Sequence, residues 1–252
     1  MRKNILITGA SSGLGEGMAR IFAANGHNLA LCARRADRLA ALKQELLEKN
    51  PNIDVRTYQL DVNDSTQVFA VFKQAVSELG QIDRVIVNAG LGKGGRIGTG
   101  KFEANQQTIQ TNVIGALAQC EAAMEHFYER SSGHLVMISS MSAMRGMPSS
   151  MTTYAATKAM VAHLAEGVRS DLIGRKKHDI KVTTIFPGYI ASEMNAGVEQ
   201  EVRMMVDTET GCKALVSAIE REPVSAKVPN WPWKFIGFIL RHAPLSVVRK
   251  MV

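Results

Sequence analysis

The feature that most restricts this chain is a steady alternation of two hydrophobic periods. Short apolar runs of strand length are followed by longer stretches with apolar residues at helical spacing. Ile5–Ile7, Leu29–Ala33, Val55–Leu60, Val85–Val87, His134–Ser139, Lys181–Phe186 and Val224–Val228 read as strands. Gly13–Asn25, Asp37–Lys49, Thr66–Leu79, Glu103–Arg130, Tyr154–Ile173 and Thr210–Glu220 read as helices between them. Strands joined through helices run parallel, because the crossover returns the chain to the same end of the sheet. A strand covered on both faces is apolar throughout, as Ile5-Leu6-Ile7 and Val85-Ile86-Val87 are. The pattern predicts an α/β fold with one doubly wound parallel sheet flanked by helices.

Composition narrows the partners. The 252 residues are 46% hydrophobic, enough for a single large α/β domain. Thirty Lys and Arg against 23 Asp and Glu give a formal charge of +7. The basic residues are scattered among acidic ones, and no basic cluster alternates with aromatic residues. No nucleic-acid partner is expected. A basic surface suits an anionic small molecule or a lipid headgroup instead. Cys32, Cys120 and Cys212 form no C-x-x-C unit and read as reduced thiols of a cytosolic protein. The six histidines lack ligand spacing with a carboxylate or thiol, so no metal is expected. Met1–Asn4 leads straight into a strand-like segment, and the apolar stretches fall short of the ~20 residues that span a bilayer. A cytoplasmic location is expected.

The first strand runs into Thr8-Gly9-Ala10-Ser11-Ser12-Gly13-Leu14-Gly15, a glycine-rich turn that feeds a helix. Glycines there let backbone approach a pyrophosphate, and the helix N-terminus supplies free N–H groups and a favourable dipole. Dinucleotide sites often place an acidic residue at the end of the second strand, where it binds the ribose hydroxyls. This chain has Cys32-Ala33-Arg34-Arg35. No carboxylate repels a 2′-phosphate, and two guanidiniums can pair with one. The expected cofactor is NADP(H).

Tyr154 and Lys158 stand at i and i+4, which puts them on one helix face. A free tyrosine titrates near ~10, and a neighbouring ammonium favours the phenolate. Such a tyrosine can give a proton to a developing alkoxide or take one from an alcohol. Upstream, Val136–Ile138 ends in Ser139-Ser140, at the strand end where open α/β sheets hold ligands. A hydroxyl there can bind a substrate oxygen, with Ser142 a further candidate.

Together these segments resemble the short-chain dehydrogenase/reductase family, in its NADP-preferring type. The matching pieces are Thr8–Gly15, Asp61-Val62, Asn88-Ala89-Gly90, Thr111-Asn112, Ile138-Ser139-Ser140, Tyr154–Lys158 and Pro187-Gly188-Tyr189-Ile190, in the family's order. The resemblance implies a Rossmann-like fold over residues 1–228 and a hydride transfer between nicotinamide and a carbonyl or secondary alcohol. It makes Tyr154 the acid/base, Lys158 its tuning partner and ribose ligand, Ser140 the substrate-oxygen ligand, and Asn112 the support of a water-linked proton relay. Gly9, Ser11, Ser12, Gly13, Leu14 and Gly15 match the phosphate turn. Asp61 and Val62 match adenine contacts. Asn88, Ala89 and Gly90 match a cofactor-lining segment, Pro187 and Gly188 belong to a further cofactor-binding segment, and Ile190 and Ser192 match the nicotinamide carboxamide contacts. Arg34, with Arg35 beside it, matches the 2′-phosphate ligand. A homodimer or homotetramer through Glu103–Arg130 and Tyr154–Ile173 is implied as well.

There are departures. Val87 replaces a common asparagine, and Ser192 a common threonine. Ser140 and Tyr154 are fourteen positions apart, one more than the family pattern, with the extra residue expected within Pro148–Thr153. Leu91–Gly100 is glycine-rich and reads as a mobile loop near the cofactor.

Met141, Met144, Met147, Met151, Met194, Met204 and Met205 suggest an adaptable apolar pocket for a lipophilic carbonyl or alcohol, although core packing explains some of them equally well. Residues 229–252 form a separate tail carrying both tryptophans, with Lys234, Arg241, Arg249 and Lys250 around the apolar run Phe235–Leu240. That composition suits a membrane interface, a pocket cap or a subunit contact. Two other functions compete: a nucleotide-binding regulator without turnover, and a membrane-associated lipid or 3-oxoacyl reductase.

Overall fold

The computed structural model describes residues 2–175, 178–193 and 205–251. Seven strands form one sheet: β1 (Asn4–Thr8), β2 (Asn28–Ala33), β3 (Val55–Gln59), β4 (Arg84–Val87), β5 (Ser132–Ile138), β6 (Asp179–Pro187) and β7 (Ser225–Val228). Their order is β3-β2-β1-β4-β5-β6-β7, and every pairing is parallel. The chain winds outward in one direction from β1 and in the other from β4. The C-terminal ends of β1 and β4 therefore flank a crevice, the place where such sheets bind ligands.

Strand alternation divides the apolar residues between two cores. Ile5, Ile7, Ile86, Val136 and Ile138 face α1 (Gly13–Ala24), α2 (Ala36–Lys49) and α7 (Thr208–Glu220). Leu6, Val85, Val87, Leu135 and Met137 face α3 (Ser65–Leu79), α5 (Ala116–Arg130) and α6 (Met151–Leu172). Each fully buried aliphatic side chain contributes about 1.5–3 kcal/mol, so these layers outweigh the caps in holding the helices down. Local signals set the ends. Asp64 accepts the Gln67 N–H at the start of α3, and left-handed Gly80 (φ 74°) ends it. Asp207 caps α7 through the Thr210 N–H.

The expected single helix over Glu103–Arg130 is interrupted. It consists of α4 (Phe102–Ile109), a π-helical turn at Gln110–Gly115, and α5. The wider turn carries Asn112, and π-bulges recur at functional sites because they re-aim a side chain. Leu91–Gly100 forms no strand or helix and is hydrogen-bonded at its middle to α4. Asn105 accepts from the Gly95 N–H and donates to its carbonyl, both at 3.1 Å.

At the opposite end of the sheet, Arg84 and His134 are buried together. The Arg84 Nε–H donates to His134 Nδ1 at 2.8 Å, and Glu220 pairs with the same guanidinium. His134 Nε2 lies 2.8 Å from Thr183 Oγ1, whose own proton goes to the Pro223 carbonyl. The ring therefore carries its hydrogen on Nε2. Although Glu222 comes within 3.5 Å of Nδ1, that nitrogen is already taken as an acceptor, so the ring is neutral. Burial first, then Arg84 and Arg2, lower its pKa to about 2.

Residues after β7 fold back as α8 (Asn230–His242) and α9 (Leu245–Met251). Trp233, Leu240 and Val248 pack with Met141, Met147 and Ala155 in a third, smaller core. Two of the methionines expected to line a substrate pocket are thus packing residues for the tail. Met144 is half-buried against the same core, Met151 and Met205 are exposed, and Met194 and Met204 lie outside the described residues.

Candidate active site

The crevice at the β1 and β4 ends is shaped by glycines. Gly9 and Gly13 have φ of +65° and +55°, a region that penalises side chains. A Cβ on Gly15 would lie 2.2 Å from the Gly9 carbonyl, so α1 sits directly on the turn. Ser12 precedes α1 without a side-chain cap bond, which leaves first-turn amides for another acceptor. Thr8 Oγ1 accepts the N–H groups of Asn88 (3.0 Å) and Ala89 (3.1 Å), while Asn88 Nδ2 donates to the Thr8 carbonyl at 2.9 Å. Asn88 thereby clamps the turn to the β4 end; its amide is committed to backbone.

Around this turn stand the other residues singled out in the sequence. Asp61 ends the segment after β3, and its carboxylate accepts the Asn63 N–H at 3.0 Å. Val62 is buried under the π turn, its carbonyl 2.8 Å from where a Gly115 Cβ would be. The Arg35 Nε–H donates to Ser11 Oγ at 3.1 Å, which lays the guanidinium along the glycine turn. Arg34 is exposed, with no side-chain partner among the described residues. On the far side, Pro187 closes β6, Ile190 is buried and bridges to Val206, and Ser192 Cβ lies 3.3 Å from where a Gly13 Cβ would be. Segment 188–193 thus overhangs the turn.

The polar centre lies one strand further along. Ser140 hydrogen-bonds toward Tyr154, and Ser142 donates to Ser140 Oγ from both its N–H (3.2 Å) and its hydroxyl (3.0 Å). Ser139 is turned away and donates to the Lys158 carbonyl at 2.7 Å. Of the three serines, Ser140 faces Tyr154, Ser142 supports it and Ser139 holds α6. The longer Ser140–Tyr154 interval is absorbed by left-handed Ser149 (φ 60°) and by a start of α6 at Met151.

Lys158 is buried and donates from Nζ to the Ile138 carbonyl at 3.0 Å. Gly90 touches both partners of the site: a Cβ there would meet Asn112 Oδ1 and Lys158 Nζ, each at 3.4 Å. Asn112 Oδ1 accepts the Leu91 N–H (2.7 Å), and its Nδ2 donates to the Leu91 carbonyl (2.9 Å) and to Thr157 Oγ1 (3.1 Å). Thr157 in turn donates to the Tyr154 carbonyl at 2.7 Å. Sequence reasoning missed Thr157, although its i+3 spacing from Tyr154 was a visible signal.

Burial governs the electrostatics of the pair. Burial raises the Tyr154 pKa above its ordinary value, and the Ser140 hydrogen bond only partly opposes it. Burial also lowers Lys158 to about 8. Lys158 Nζ is 5.8 Å from the Tyr154 ring centre. A protonated tyrosine beside a serine hydroxyl is a proton donor for an oxygen bound between them.

A parallel α/β sheet with a glycine-cradled helix N-terminus at its switch point and a Ser–Tyr–Lys cluster beyond it defines a nucleotide-dependent oxidoreductase. The family model described as short chain dehydrogenase matches residues 3–203. The chain belongs to that family and is an oxidoreductase of it. It is 55% identical over 249 residues to a protein of Mycobacterium tuberculosis (strain H37Rv) called an uncharacterized oxidoreductase, covering 99% of this chain and 97% of that one. It is 32% identical to the Bos taurus dehydrogenase/reductase SDR family member 7B over 76% of this chain and 59% of that protein. Among solved structures, a short-chain dehydrogenase from Sphingobium yanoikuyae in complex with NADPH superposes with TM-score 0.82 at 26% identity, covering 97% and 94% of the two chains.

Proposed function

We propose that this chain is an NADP(H)-dependent reductase of a carbonyl on a lipophilic small molecule, with Tyr154 as proton donor. The observation that carries the reading is the convergence of Ser140, a half-buried Tyr154 whose phenol is held above its ordinary pKa, and buried Lys158 on one site. NADPH supplies a hydride to the carbonyl carbon when bound. Ser140 holds the carbonyl oxygen, Tyr154 delivers the proton to it, and Lys158 positions the ribose beside Tyr154. Asn112 and Thr157 fix the backbone around that helix turn.

The residues fit the cofactor. Positive-φ glycines and uncapped amides of α1 suit a pyrophosphate, and unpartnered Arg34 beside Arg35 suits a 2′-phosphate. The preference for lipophilic substrates rests on exposed Tyr189, on Met151 one turn before Tyr154, and on Met205 beside the Val206–Ile190 bridge. A screen of carbonyl compounds with NADPH and alcohols with NADP+, read at about 340 nm, tests the activity. No turnover with any of them would favour the nucleotide-binding regulator.

Two features concern assembly and location. Family membership supports a homodimer or homotetramer through α4, α5 and α6, and exposed Phe102, Ile109 and Ile114 on the α4–π segment favour it. A monomer mass by light scattering would refute it. No helix among the described residues is long and apolar enough to cross a membrane. The outer face of α8 nevertheless exposes Trp231 (77%), Phe235 (58%) and Phe238 (63%), with Lys234 and Arg241 among them. That face supports peripheral contact with an anionic membrane through residues 229–252, while the inner face caps the site end of the sheet.

A further inference from the structure

The overhanging segment after β6 carries a carboxylate with an unusual set of partners. Glu193 Oε2 accepts from Arg35 Nη1 at 3.1 Å, and its other oxygen accepts from Arg38. The Arg35 guanidinium also reaches Ser11 through Nε and Nη2. One arginine therefore joins the glycine turn, the end of β2 and the segment carrying Ser192. Glu193 is 55% exposed and Arg35 40%, so the pair is open to solvent and contributes little to folding. An anion at this point is unexpected on another ground. The β2 end carries Arg34 and Arg35 and no acidic residue, yet a carboxylate 158 positions away in sequence is brought to Arg35.

We propose that Glu193 is a stand-in for the 2′-phosphate of the cofactor and is a specificity-determining residue. In the free protein it holds Arg35 extended along the Ser11 turn. An incoming 2′-phosphate carries more charge and more acceptor oxygens than one carboxylate, so it takes Arg35 over, while Glu193 keeps Arg38. NADH brings no competing anion and leaves the Arg35–Glu193 pair intact. The carboxylate thus keeps the arginine ordered and taxes NADPH affinity through repulsion of the phosphate. This inference rests on the NADP(H) reading.

Dissociation constants for NADPH and NADH, read from nucleotide fluorescence in wild type and Glu193→Gln, test it without turnover. Glu193 is exposed, so the variant is expected to fold. NADPH should bind roughly two- to fivefold more tightly to Glu193→Gln, the size of an exposed ion-pair effect, with NADH unchanged. The gain should shrink toward ~1 M salt, where exposed charges are screened. An unchanged or weaker NADPH affinity would overturn the proposal. A parallel change for both nucleotides would also overturn it, making Glu193 a general closure contact. Wild-type protein binding NADH as tightly as NADPH would overturn the cofactor reading itself, and this inference with it.

Discussion

Lys158 directs one Nζ proton to the Ile138 carbonyl at 3.0 Å, anchoring the ammonium to the end of β5 rather than to the Tyr154 hydroxyl. The site therefore combines a phenol that keeps its proton with an amine that is charged at neutrality and loses its charge above about pH 8. Burial lowers Lys158 from 10.5 to about 8, so it is charged below that pH and neutral above it. Burial raises Tyr154, so the phenol keeps its proton through the same range. Reductive kcat/KM should then fall as pH rises through about 8, with Lys158 responsible. A rate flat to pH ~10 would contradict this assignment.

On the NADP(H) reading, Arg34 is expected to set the choice of cofactor from the open side. Its unpartnered guanidinium follows β2, beside Arg35, where a 2′-phosphate would arrive. Loss of a charge-assisted contact costs roughly 1.5–3 kcal/mol, or about one to two decades of preference. The ratio of kcat/KM for NADPH and NADH should drop by that factor in Arg34→Ala. Equal use of both cofactors by wild type would sink the idea.

His134 makes the fold sensitive to acid. Its folded pKa is near 2 against 6.5 when unfolded, so below pH 6.5 the unfolded chain binds the extra proton. Stability should decline as pH falls from 6.5, by up to about 1.4 kcal/mol per pH unit for this residue. His27 and His126 are lowered too, by burial first, and add in the same direction. Urea unfolding from pH 7 to 4 should show a shallower decline in His134→Asn than in wild type. Identical slopes would remove His134 from the account.

The outer face of α8 gives a location test. Co-sedimentation with anionic vesicles at low salt should carry the full chain down and spare Trp231→Ser/Phe235→Ser/Phe238→Ser. Those side chains are exposed, while the packing residues Trp233 and Leu240 remain. Wild type remaining in the supernatant would leave α8 with its capping role alone.

The sheet was readable from the sequence because the central strands β1, β4 and β5 are buried on both faces, while β3 alternates. Ile5 and Leu6 enter different cores, and nothing but a doubly covered strand needs both. Tyr154, Lys158 and the glycine turn were readable because their spacing is local. What escaped depends on distant residues. Arg84 lies outside the strand Val85–Val87 read from the sequence, and its burial follows only from Glu220 and His134, far away in sequence. The π turn at Asn112 has no composition of its own; its side chain is held by Leu91 and Thr157. Arg35 looked like a second phosphate ligand, with no hint that Glu193 would reach it. Met141 and Met147 looked like pocket lining because the sequence does not say where α8 folds back.

The central claim is that the Tyr154 hydroxyl delivers the proton that completes reduction. The direct measurement is NADPH oxidation with a carbonyl substrate in Tyr154→Phe, alongside the NADPH dissociation constant. Removing only the hydroxyl should lower turnover by ~10²–10⁴-fold and leave NADPH affinity nearly unchanged. A variant that keeps more than about a tenth of the wild-type rate would assign the proton to another group and contradict the account.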